Sequence, residues 1–205
     1  MPIIEEKNKD GKGLAFYFPD DWYVEKYDRD ADPETQEPAG FYRRVILSGG
    51  VQQVRGMDIV CRLPGKPQRL EFIEVKYERD RDPATNVALR HEDIRQTVLR
   101  KTMGTLAGLL LAERLRDESL GPMACLSRNP EIKVTLFLVE PVAVPTPPQR
   151  NKELRKLMKQ QGKTGLDQQL RAKLDEWGIL FYLANLDDRP SPDWQVRELL
   201  PTETL

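Results

Sequence analysis

The chain has 205 residues, 39% of them hydrophobic and 32% charged, with a formal net charge of −1. That length suits one well-packed soluble domain and is short for two, and the near-neutral balance excludes a global basic field, so a nucleic-acid partner would have to be held by a local patch. One histidine, His91, and two cysteines, Cys61 and Cys125, argue against a His-rich zinc site and against a Ser/His/Asp triad.

The opening "MPIIEEKNKDGKG" is charged and does not read as a secretory signal. The longest uncharged helical stretch, Thr102 to Ala112, is far below the ~20 residues that span a bilayer. No membrane partner and a cytoplasmic location are therefore the expectation. Residues 14–28 mix aromatics and acids and read as a short strand plus a helical turn; residues 29–40 are a polar loop with two prolines. "FYRRVILS" (41–48) and "GMDIVCRL" (56–63) read as strands. Cys61 then lies in a strand, where a buried free thiol is expected. "PGKPQ" (64–68) is a tight connection, and "RLEFIEVKYE" (69–78) is a third strand.

A long helix follows, from about His91 to Asp117. Leu99, Met103, Leu106 and Leu110 form its expected buried stripe, widened by Ile94, Val98, Leu109 and Ala112. Gly104 and Gly108 would let it approach the sheet closely. His91 would cap or flank this helix without chemistry. Residues 132–140 read as a core strand, 141–150 as an extended proline-rich link, 151–161 as a basic helix broken at Gly162 to Gly165, 166–177 as another helix, and 178–186 as a last strand. The expected fold class is α/β: one domain with a mixed central sheet, an antiparallel meander, a helical crossover to a parallel strand, and flanking helices.

The second and third strands make a testable hairpin. Folding back about Lys66 pairs residues whose numbers sum to 132, so Ile59 meets Ile73, Val60 meets Phe72, and Asp58 faces Glu74. Lys76 falls on the same face as Glu74 because strand side chains alternate. Two carboxylates about 5 Å apart repel by roughly 3 kcal/mol at an effective dielectric of about 20. A cation must sit between them. A structural salt bridge through Lys76 would serve. So would a divalent ion, which the buried surroundings and the residual charge of −1 on the trio favour.

Asp58 and then Glu74-Val75-Lys76 across a hairpin, followed by a helix, resembles the PD-(D/E)XK nuclease superfamily, the restriction-endonuclease-like fold. The order Lys26-Tyr27-Asp28, Phe41-Tyr42-Arg43, Asp58 and Ile73-Glu74-Val75-Lys76 also reads like that of some bacterial proteins. Met57 stands where that family often has proline. The resemblance implies an αβββαβ core over residues 14–140, with 141–205 as an appended α-β extension and tail. It implies that Asp58, Glu74 and the Val75 carbonyl bind Mg2+ (or Mn2+), and that Lys76 orients the attacking water and neutralises the phosphate. Glu25 or Asp28 would be an additional acid from an N-terminal helix, and Gln96 a supporting residue. Arg95, Arg100 and Lys101, and the basic helix with Arg155, Lys156 and Lys159, would contact the nucleic-acid backbone, unless they are simply wet helix faces. The implied partner is nucleic acid, DNA before RNA. Endo- against exonuclease action stays open, as does the oligomeric state, a homodimer included. The alternatives are an inactive nuclease-fold binding or interaction subunit and an unrelated α/β protein whose trio is a salt bridge.

Overall fold

The computed structural model describes residues 1–7, 11–32, 36, 38–50, 54–65, 68–78, 87–140, 150–187 and 193–199, the side chains of 87–89 and 150–162 excepted. Its strands are β1 (Ile3–Lys7), β2 (Gly13–Tyr17), β3 (Tyr23–Lys26), β4 (Ile59–Leu63), β5 (Arg69–Tyr77), β6 (Glu131–Val139), β7 (Ile179–Ala184) and β8 (Gln195–Leu199). The long helices are α1 (Val87–Leu115) and α2 (Arg150–Asp175). Two sheets form, one ordered β1-β2-β8 and one ordered β3-β4-β5-β6-β7. In the larger sheet β3, β4 and β5 are antiparallel, while β5, β6 and β7 are parallel. The mixed sheet, the meander and the helical crossover stand as expected.

The small sheet covers one face of the large one. Its Leu14 and Phe16, with Phe18, Trp194 and Val196, bury against Ile59, Cys61, Ile73 and Phe137. Phe16 meets Phe137 edge-on at 5.5 Å between ring centroids, a favourable aromatic geometry. The helices cover the opposite face, where Val60, Phe72, Val134 and Leu136 pack on Ile94, Val98, Leu109, Leu166 and Leu170. Alternation along β4 and β5 sends odd positions to the small sheet and even ones to the helices. Both cysteines are buried and free.

Several expectations are corrected. Residues 41–48 are not a strand: Tyr42–Leu47 form a short π-type helix. Phe41 and Tyr42 are buried in the core, and Val45, Ile46 and Leu47 pack against it, a three-to-four spacing that a strand cannot bury. The meander's first strand is β3 instead. Among the described residues no helix precedes it; β1 and β2 stand there. The helix break at Gly162 to Gly165 is absent, since α2 is continuous and Leu166, Leu170 and Leu174 seat it at helical spacing. Two glycines in a helix cost roughly 1 kcal/mol each, an amount this burial offsets. The C-terminal part adds α2 and the edge strand β7 on β6, and its last strand, β8, pairs with β2.

The stripe of α1 is also corrected. Met103 and Leu110 are 51% and 58% exposed. The buried face is Ile94, Val98, Thr102, Thr105, Leu109 and Ala112, with Gly104 and Gly108 between. The helix ends in a Schellman turn: Arg116 adopts φ 53°, its N–H donates to the Glu113 carbonyl, and Asp117 N–H donates to Ala112 at 3.0 Å.

Candidate active site

The hairpin has the register read from its turn, with Ile59 opposite Ile73 and Val60 opposite Phe72. Lys66, the centre of that turn, lies outside the described residues. The β4 ladder ends at Ile59, so Asp58 sits one residue past it and hooks over β5: Val75 N–H donates to its Oδ2 at 2.6 Å. Tyr27 N–H donates to the Asp58 carbonyl at 2.9 Å and fixes its backbone. An extended residue turns its N–H and C=O to the same strand edge. The Val75 carbonyl therefore faces the Asp58 side.

A lysine from α1 completes the group. Lys101 Nζ lies 2.6 Å from Asp58 Oδ1 and 2.7 Å from Glu74 Oε2, while Lys76 Nζ lies 2.7 Å from Glu74 Oε1. Glu74 is fully buried, and neither of its oxygens receives a well-directed hydrogen bond, only these ion contacts. Lys101 reaches so deep because its helix comes unusually close. A Cβ on Gly104 would stand 2.0 Å from the Arg55 carbonyl oxygen, and one on Gly108 would stand 1.9 Å from Tyr27 Oη. Met57 N–H donates to Thr105 Oγ1 at 2.8 Å, tying the segment before Asp58 to the same helix. The expected glycine approach is thus present, but it is made to residues 55 and 27 rather than to a strand.

Electrostatics follow from burial. Desolvation pushes the Glu74 carboxyl up to about 7, aided by the Asp58 charge and opposed by Lys101 and Lys76. The two carboxylates hold Lys101 charged, well above its ordinary range, against the cost of its own burial. Two further acids feel Asp58. Burial pushes Asp28 up to about 6, with the Asp58 charge adding and Lys101 opposing. Glu6 on β1 is pushed up to about 7 by burial, with Lys26 opposing and Asp58 and Asp28 adding.

The other sequence-named residues scatter. Asp28, in the turn after β3, joins the electrostatic neighbourhood; Glu25 lies on β3 and pairs with Arg29 at 3.6 Å. Neither is on a helix. Arg95 and Gln96 both donate to Glu92, and Arg100 is exposed. Lys101, named as a phosphate contact or else a wet-face lysine, instead reaches both Asp58 and Glu74. Arg155, Lys156 and Lys159 lie on α2, but their side chains are outside the described ones. Glu6 was missed because nothing in residues 1–13 announced a strand.

Among the described residues no three carboxyl, imidazole or thiol groups converge to hold an ion. Asp58 and Glu74 are an acid pair bridged by one lysine. A larger groove between α2 and β7 has Asp175 as its one acid among the lining residues and brings no acid pair together. Among the described residues no helix is long and apolar enough to cross a membrane. The chain matches no family model, no curated protein and no solved structure, so the reading of this site rests on its own geometry.

Proposed function

We propose that the chain is a metal-dependent nuclease hydrolysing phosphodiester bonds in DNA or RNA at Asp58, Glu74 and Lys76, with Mg2+ or Mn2+. The observation that carries this is the shared cation. Two carboxylates, one on β5 and one on the residue just before β4, bind one ammonium at 2.6 and 2.7 Å, close enough to share a metal instead. The donors are hard carboxylate oxygens, those of Glu74 lack directed hydrogen bonds, and the Val75 carbonyl faces the same edge. Such a set fits Mg2+ or Mn2+. The element order adds support, since three antiparallel strands, α1 and a strand parallel to β5 follow the last five elements of an αβββαβ core.

When bound, the metal would supply a lowered pKa for the attacking water and charge stabilisation at the phosphate. The chain's own residues do the rest. Val75 and Tyr27 N–H groups hold Asp58 in place. Glu74, wholly inside, positions Lys76 through a 2.7 Å ion contact. The Lys76 side chain is 27% exposed, so its ammonium is the group of this pair that a phosphate can reach. There it orients the attacking water and neutralises charge on the phosphoryl oxygens.

A second reading has its own observation. Lys101 and Lys76 already balance both acids, which suits a nuclease-fold subunit that binds nucleic acid or a protein without cutting. Incubation with single-stranded DNA, duplex DNA and RNA in Mn2+ separates the two. The nuclease reading expects cleavage by the wild type, none in EDTA, and none by folded Asp58→Asn or Lys76→Met. Intact substrates with wild type in Mn2+, together with salt-sensitive binding unchanged by Lys76→Ala, would replace it with the binding subunit.

A further inference from the structure

The position between Asp58 and Glu74 is already held. Lys101 comes from a different element than either acid and touches both, while Lys76 touches Glu74 alone. Its helix is locked in rotation by fully buried Thr102 and Thr105 on the same face and by the two glycine contacts. Its side chain is 13% exposed, against 27% for Lys76, so it is the enclosed cation of the pair. An ammonium and a divalent ion need the same carboxylate oxygens and repel each other at contact distance. They cannot share the pocket.

Building on the metal-site reading, we propose that Lys101 is an exchangeable internal counter-ion: it fills the divalent-cation position in the resting protein and must be displaced for the cation to enter. The two acids thus remain compensated and folded without metal. Metal loading becomes a competition within the site, and apparent affinity falls by the fraction of protein in which the lysine is seated. Displacement turns the ammonium out of the carboxylate pair and towards the open side of the site, where it adds to the positive charge that a phosphate meets.

The test uses the full chain and Mn2+ alone, by calorimetric titration of wild type, Lys101→Met and Lys76→Met, with circular dichroism to check folding. Lys101→Met should bind Mn2+ roughly tenfold tighter or more, and Lys76→Met should gain less. In the wild type, amine acetylation read by mass spectrometry should find Lys101 protected, and Mn2+ should expose it. The labelling needs no variant, so it decides the question even if Lys101→Met fails to fold. Wild-type Mn2+ binding with unchanged Lys101 labelling and no gain in Lys101→Met overturns the exchange and leaves the metal site standing. No Mn2+ binding by wild type or by folded Lys101→Met overturns both.

Discussion

Replacing Asp28 with Asn should leave stability nearly unchanged in acid and raise it at neutral pH. The carboxyl titrates near 6 in the folded chain against an ordinary 3.8, chiefly because it is desolvated and secondarily because Asp58 is close. A raised carboxyl means that the folded state holds its proton more tightly than the unfolded state. Its contribution is therefore complete below pH ~4 and is lost as pH rises through about 6. At about 1.36 kcal/mol per pH unit the interval corresponds to about 3 kcal/mol. Asp28 keeps some solvent contact, which brings the working range to roughly 1–3 kcal/mol. Urea unfolding followed by tryptophan fluorescence, in EDTA at pH 4, 5, 6, 7 and 8, should show wild type and Asp28→Asn nearly together at pH 4 and already diverging by pH 5. The variant should be the more stable at pH 8. A difference independent of pH, or one that grows toward acid, would refute the reasoning.

Two further perturbations probe how Lys101 is delivered. Gly108→Ala should destabilise by about 1–3 kcal/mol, because its Cβ meets Tyr27 Oη at 1.9 Å. Adding Tyr27→Phe removes the oxygen that is struck, and the double variant should recover most of the loss in thermal melts. Thr105→Val deprives the buried Met57 N–H of its acceptor at 2.8 Å and should cost about 1–3 kcal/mol in urea unfolding. It should also loosen the segment leading into Asp58, seen as faster amide exchange at Met57.

The hairpin was legible because a short turn and strict alternation leave a strand pair few registers. Once Ile59 opposes Ile73, the convergence of Asp58 with Glu74 follows. What stayed hidden depended on shape rather than hydrophobicity. The inner face of α1 is set by Thr102, Thr105, Gly104 and Gly108, which pack closely but count little as apolar, while Leu110 and Met103 face outward. That misjudged rotation is also why the sequence places Lys101 at the helix edge rather than between the two acids. The small sheet was hidden for another reason: β2 pairs with β8, nearly the whole chain away, and local patterning carries no signal for such a partner. The run Val45-Ile46-Leu47 has strand-like composition, yet its burial beside Phe41 and Tyr42 follows a helical spacing. Tertiary packing overrode local preference there.

The central claim is that Asp58 and Glu74 hold a divalent cation where Lys101 now sits. Anomalous diffraction from crystals grown in Mn2+ tests it most directly. The account predicts one peak within about 2.5 Å of an oxygen from each carboxylate, with the Lys101 ammonium turned out of the pair. A well-ordered site with no peak and Lys101 still bridging both acids would contradict it.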